Sequence, residues 1–496
     1  MATEKDKVMS WGDLLKFGRP EIVALHKTWF AFFLTFFVWF NMAPLMTTIA
    51  QDTGFTMQQM KILAICNVAL TVPGRVLIGM ISDRIGPRKT FTFVMVVMAI
   101  PCFFFAFGTD YMQLLVSRLV LSMVGTGFVV GIHMTSLWFK PRDIGFAQGV
   151  EAGLGNWGSS IAAILMPILA LNVFDSWRVA MAVSGGVMLL YGIYYWFAIT
   201  DGPPGVKHLK PKKAPAIEVS SFADMINAII WTIPVIGVLA ILVWKINGMK
   251  FMSDEAATIF YIIIVVVVVY QCAQIVRYNM PILKKGVPAD DRYRFTNVAC
   301  LCMCYVATFG AELGVISMLP TFFQKTFNMT PQMAGLIASV FAMLNFFSRA
   351  LGGWISDRMP TRRMAMLIYV AGCAVTFGLM GLINSSWPVW MAVAVTLLCA
   401  IFVTGGCGTT YAIVPLIKRR ITGNVSGYVG AYGNVGATIY LTGYTFMTDS
   451  QFFWFLGASG VVTFLFCLFF LKEPEGAFAA EYQLSSVDKA MMEGGH

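Results

Sequence analysis

Apolar runs of about 20 residues, each long enough to cross a hydrocarbon core of roughly 30 Å as a helix, recur from Thr28 to Leu471. We count fourteen, at about 28–50, 61–82, 89–108, 111–139, 145–174, 178–199, 225–247, 256–278, 295–322, 331–356, 363–383, 387–417, 422–447 and 451–471. Composition agrees, with 58% hydrophobic and 12% charged residues where soluble domains carry about 25% charged. The expected class is an all-α integral membrane protein in a lipid bilayer.

The net charge of +10 could suit nucleic acid, but the distribution of the charge argues against such a partner. Basic residues occupy every second connection: Arg84, Arg88 and Lys89; Lys140 and Arg142; Lys207, Lys210, Lys212 and Lys213; Lys284, Lys285 and Arg292; Arg358, Arg362 and Arg363; Lys418, Arg419 and Arg420. By the positive-inside rule these connections and both termini are cytoplasmic, as an even number of spans requires. The N-terminal "MATEKDKVMSWGDLLKFGRPE" has no apolar core with a cleavage site, so no signal peptide is expected. Ten cysteines fall within the spans, and Cys300, Cys302 and Cys304 splay around one helix with no histidine nearby. They read as packing residues, with no metal and no cofactor expected.

The chain repeats itself. "KPRDIGFAQGVEAGLGNWG" at 140–158 matches "KRRITGNVSGYVGAYGNVG" at 418–436, and "GRVLIGMISDRIGPRK" at 74–89 matches "SRALGGWISDRMPTRR" at 348–363. The expected organisation is an N-terminal six-helix half (1–200), a linker with two inserted transmembrane helices (201–294), a C-terminal six-helix half (295–472) and a cytoplasmic tail (473–496). Both halves begin on the same side, so they are parallel repeats. The inserted "YIIIVVVVVY" at 261–270 reads as lipid-facing.

Arg75 and Arg349 occupy equivalent positions, about eight residues from Asp83 and Asp357, or roughly 12 Å into the helix. An arginine near the bilayer centre costs about 2.5–3.5 kcal/mol, and such residues mark a pathway. Either alone could be a snorkelling or structurally paired residue; recurrence favours a shared function. Two facing guanidiniums with no obligatory carboxylate beside them in sequence make an anion site, and the planar fork of donors suits a small flat oxyanion. Asn156 and Asn434 add directional donors without charge, and the flanking glycines, Gly155 and Gly433 among them, allow close approach of a neighbour or ligand. The alternative for the glycines is plain helix packing. At the cytoplasmic face, Asp83, Arg84, Arg88, Asp357, Arg358 and Arg362 are candidates for charge-paired gating latches, with a topological role for the basic residues as the alternative.

The "G-x-x-x-D-R-x-G-x-R-K" loop at Gly79 to Lys89, the two six-helix halves and the paired glycine-asparagine signatures resemble the major facilitator superfamily. "ALHKTWFAFF" at 24–33 and "YAIVPLIKRRITGNVSGYVGAYGNVG" at 411–436 are similar to its nitrate/nitrite porter family from cyanobacteria, algae and plants. The resemblance implies that Arg75 and Arg349 clamp nitrate, that Asn156, Asn434, Gly155 and Gly433 line the site, and that Tyr305 contacts substrate. Pro360 stands where the first half has Gly86, and the extra helix pair departs from the family pattern.

The implied function is import of nitrate, and of the similarly flat nitrite, across the plasma membrane by a monomer. Bringing one negative charge into an inside-negative cell costs about 2.3 kcal/mol per 100 mV, so more than one proton per nitrate is needed before the potential favours uptake. Glu312, mid-helix in "TFGAELGV", is the candidate for proton coupling; its alternative is a carboxylate paired with Arg118 or Arg349. Nitrate/nitrite exchange and nitrate sensing without useful flux are the competing functions. No histidine cluster, nucleotide loop or nucleophile constellation suggests an enzyme.

Overall fold

The apolar runs are helical. The computed structural model describes residues 8–203 and 215–493, so Lys207, Lys210, Lys212 and Lys213 lie outside the described residues. Pro20 opens α1 (Pro20–Phe40), and a short turn containing Pro44, which cannot donate a backbone hydrogen bond, separates it from α2 (Met46–Thr53). Gly54, at φ +72°, ends α2 in the left-handed region where only glycine is unstrained. Next come α3 (Met57–Ala69) and α4 (Thr71–Ile85), α5 (Pro87–Phe107) and α6 (Tyr111–Leu121), α7 (Gly127–Trp138) and α8 (Ile144–Ile168), and then α9 (Trp177–Ala198). Side-chain caps set several of these starts: Asp110 accepts from the Met112 amide at 2.7 Å, and Ser176 from that of Val179.

After the undescribed segment come α10 (Phe222–Gly248) and α11 (Asp254–Lys285), which pack on each other. Exposed Ile259, Ile262, Val265, Val266 and Val269 on α11 present an apolar face suited to hydrocarbon rather than water. The chain continues through α12 (Phe295–Tyr305), α13 (Ala311–Phe327), α14 (Pro331–Ser356), α15 (Arg362–Gly381), α16 (Val389–Ile417), α17 (Thr422–Tyr444) and α18 (Asp449–Phe470), with a short α19 (Ser486–Glu493) near the C-terminus. No strand occurs among the described residues.

Thirteen helical segments among the described residues are long and apolar enough to span a membrane, one fewer than the fourteen expected. The difference is the run expected at 422–447, which forms α17 but carries six glycines and several polar residues. Residues Thr422–Ala437 are buried throughout, so this helix is surrounded by protein and has little need of a lipid-soluble surface.

Two helix pairs set the centre of the bundle, α4 against α17 and α8 against α14. Both contacts are made at glycine. A methyl group at Gly427 would come within 2.5 Å of the Arg75 carbonyl oxygen, and one at Gly149 within 2.5 Å of the Arg349 carbonyl oxygen. The duplicated small residues thus let the backbones carrying the two arginines lie directly against their partner helices.

Candidate anion site and its latches

Arg75 on α4 and Arg349 on α14 meet in the interior, neither with exposed surface. Their guanidinium carbons lie 5.6 and 5.4 Å from the centroid of one ring, Phe309, so they are no farther apart than those two distances laid end to end. Arg75 also faces Phe128 at 5.3 Å and Trp39 at 5.8 Å. The negative π faces attract the cations where water is excluded. Tyr305 stacks between Phe128 and Phe309, with ring centroids 6.1 and 5.0 Å away, and Tyr411 meets it edge-on at 5.1 Å. The chain joins α12 to α13 through a π-helical turn, Val306–Gly310, which carries Phe309. Such wide turns recur at functional sites.

The two arginines have different partners. Arg75 donates from Nη1 to the Gly430 carbonyl at 2.6 Å, and its Nε and Nη2 have no hydrogen-bond acceptor. Arg349 donates from Nε to Asn345 Oδ1 at 2.5 Å and pairs through Nη2 with Glu312 Oε2 at 3.1 Å, leaving Nη1 without an acceptor. The Asn345 amide also donates to Glu312. No carboxylate stands beside Arg349 in sequence, but the fold brings Glu312 across from α13. Arg118, the other partner considered for Glu312, donates instead to Asn41 Oδ1 at 3.0 Å and to the Trp39 carbonyl at 2.7 Å.

The asparagines and glycines separate into different tasks. Asn434 holds a buried amide nitrogen with no acceptor, whereas Asn156 donates to the Ala152 carbonyl of its own helix at 2.7 Å. A methyl group at Gly433 would lie 2.6 Å from a Phe309 ring carbon and 2.7 Å from one of Tyr305. One at Gly155 would overlap Phe32. These glycines seat the aromatic rings. The donors left over, on Arg75, Arg349 and Asn434, suit a compact oxyanion, because a buried N–H without an acceptor costs about 1–3 kcal/mol.

At one end of the bundle, two aspartates span the helix pairs. Asp83 accepts from the backbone amides of Gly423 and Asn424 at 2.6 and 2.7 Å; Asp357 accepts from those of Gly145 and Phe146 at 3.0 and 2.6 Å. Each carboxylate therefore sits on the N-terminus of a partner helix, where amides point outward and the helix dipole favours negative charge. The expected latches of opposite side-chain charges take this form only once, at Asp357 and Arg362, 2.6 Å apart. Arg84 is exposed, Arg88 lies over Trp196, and Arg358 donates to the Met9 carbonyl at 2.9 Å. Helix amides outcompete these long side chains because they are already fixed and close.

Sequence reading missed Asn345, Phe309, Phe128 and Tyr411. Asn345 carried a signal, being a polar residue one turn before Arg349 in an apolar helix. The rings did not, since aromatic residues are common in apolar helices.

A bundle of this kind around a buried cationic centre defines a membrane transporter: the chain belongs to the Major Facilitator Superfamily, whose family model matches residues 28–441 and again 301–487. Its members are transporters and not enzymes. A proton:xylose symporter, XylE, shares the fold at a TM-score of 0.58, with 13% identity over 94% of this chain and 98% of that one. Within the superfamily the chain is a member of the nitrate/nitrite porter family. It is 39% identical to the nitrate/nitrite transporter NrtP of Picosynechococcus sp. over 94% of this chain and 96% of the relative. It is 40% identical to NrtP of Nostoc punctiforme over 92% and 94%.

Proposed function

We propose that this protein imports nitrate, and nitrite as a second substrate, in symport with protons, by alternating access between its two six-helix halves. One observation carries the reading. Two buried guanidiniums face a single ring and keep unused donors, one of them with no carboxylate partner at all. The relatives named nitrate/nitrite transporters support the choice of oxyanion. By the positive-inside rule, the basic connections support a cytoplasmic position for the Asp83 and Asp357 end and for both chain termini.

In this reading, nitrate accepts hydrogen bonds from Arg75 and Arg349 across the face of Phe309, with Tyr305 and Asn434 closing the site. Protonation of Glu312 releases Arg349 from its internal partner and frees a second arm of the fork for the anion. The aspartate latches hold the cytoplasmic side shut while the site faces outward, and they part as the halves rock.

The test is nitrate uptake into proteoliposomes under an inward proton gradient, for wild type beside Arg75→Lys and Arg349→Lys. Loss of flux in both, with charge kept but the planar fork removed, is expected. Undiminished flux in either makes that arginine structural. Gradient-independent nitrate/nitrite counterflow in the wild type, with no proton-driven accumulation, replaces symport by exchange.

A further inference from the structure

Glu151 on α8 has no exposed surface, and neither carboxyl oxygen has a hydrogen-bond partner. Its Oε1 lies against the backbone at Gly131 of α7, where any side chain would overlap it. The second copy of the motif has Val429 at the matching position, so this acid belongs to one half alone. Gly149, two residues earlier and on the opposite face of α8, touches the Arg349 carbonyl oxygen, and the field of the Arg349 guanidinium reaches Glu151.

An ionised carboxylate here would be a buried charge with no donor to it, an arrangement that costs several kcal/mol. No surrounding group among the described residues donates a hydrogen bond to it, and only the field of Arg349 offsets part of that cost. Arg349 on α14 and Tyr195 on α9 are the charged or ionisable groups whose fields reach it, and Arg349 is committed to Glu312 and Asn345. On α1, Lys27 donates to the Ala198 carbonyl and His26 contacts the Leu14 carbonyl. On α7, His133 contacts Ser82 and Asp83. On α16, Cys407 donates to Glu312 and Tyr411 to the Ser426 carbonyl. In this conformation Glu151 therefore carries a proton.

The charge balance of the site gives that proton a use. With Glu312 protonated, Arg75 and Arg349 present two positive charges to the anion, and an ionised Glu151 would offset one of them and weaken anion binding. Proton binding at Glu151 and anion binding at the arginines then favour each other, and such coupling is reciprocal.

We propose that Glu151 is a proton-carrying group of the transport cycle, loaded from outside with nitrate and unloaded to cytoplasmic water when the aspartate latches open. The carboxylic acid loses one proton to become a carboxylate and regains one from external water on the return. This rests on the symport reading above. With Glu312 it supplies the two protons that make uptake of one nitrate electrogenic.

The experiment measures protons and nitrate taken up by proteoliposomes, with the transport current, for wild type and Glu151→Gln. Glutamine has the shape and donor capacity of the protonated acid. The expected result is a fall of one proton per nitrate and loss of the nitrate-dependent current, with nitrate counterflow still running. A wild-type ratio and current in Glu151→Gln overturn the proposal. So does loss of counterflow, since the permanently protonated mimic must still bind and exchange the anion. Wild-type protein that moves nitrate without protons instead overturns the symport reading, whatever the variant does.

Discussion

Glu312 and Arg349 form a buried ion pair, Oε2 to Nη2 at 3.1 Å, while Arg75, which faces the same Phe309 ring, meets no carboxylate among the described residues. The two arginines are equivalent in sequence and unequal in setting. Anion binding at Arg75 displaces no internal partner, whereas at Arg349 it competes with Glu312.

Glu312→Gln removes the charge and leaves the amide of Asn345 facing a neutral group. Breaking one side of a buried pair costs about 3–5 kcal/mol, so we expect a clear fall in melting temperature in detergent. Nitrate accumulation under a proton gradient should fall with it while counterflow persists. Full proton-driven accumulation by this variant would remove Glu312 from coupling.

Gly433→Ala forces a methyl group against Phe309 and Tyr305, at 2.6 and 2.7 Å in the present packing. Overpacking of this kind costs about 1–3 kcal/mol, and one of the displaced rings, Phe309, is the ring both arginines face. Uptake should drop at least tenfold. Gly186→Ala, where no atom lies within 4 Å, is the control; it should transport normally and be no less stable.

Asp83→Asn replaces a charged acceptor of two amides by a neutral one. Hydrogen bonds to charged groups contribute about 1.5–3 kcal/mol, so a shift of ten-fold or more towards the state open at this end is expected. Spin-label distances between α4 and α17 at that end measure it. An unchanged distribution would mean that the glycine contacts alone hold the end closed.

Glu218, outside the spans, gives a pH dependence. Burial pushes its carboxyl up, but Lys418 at 3.0 Å and Arg420 outweigh burial and hold it below the ordinary 4.5. A depressed carboxylate stabilises the fold above its unfolded value and loses that contribution as pH falls through its folded value. Melting temperature should therefore be insensitive to this group above pH 4.5 and decline below it. Glu218→Gln should start lower and flatten that acid limb; an unchanged acid limb would exclude the pair as its source.

The fold class and the arginine pair were legible in the sequence because each leaves a redundant signal. Run length repeats along the chain, and Arg75 and Arg349 recur within matched motifs. Duplication also acted as a filter that hid what is unique. Glu151 lies inside the quoted "GVEAGLGNWG", yet its partner position is Val429; Glu312 was legible as a lone mid-helix acid, and of the two partners considered for it the fold brings Arg349. The π turn at Val306–Gly310 and the shared ring at Phe309 depend on how helices cross, which periodicity does not encode. The contacts between helix pairs at this end fall on the two aspartates, but apart from the Asp357–Arg362 pair their donors are backbone amides, which have no letter in the sequence.

Those donors are beyond the reach of ordinary substitution. A change of side chain at Gly145, Phe146, Gly423 or Asn424 leaves the amide in place, and only proline deletes it. Drift in the strength of this closure must then act through the two acids or through helix spacing. A collection of natural or selected variants should hold aspartate at 83 and 357 far more strictly than it holds Phe146 or Asn424.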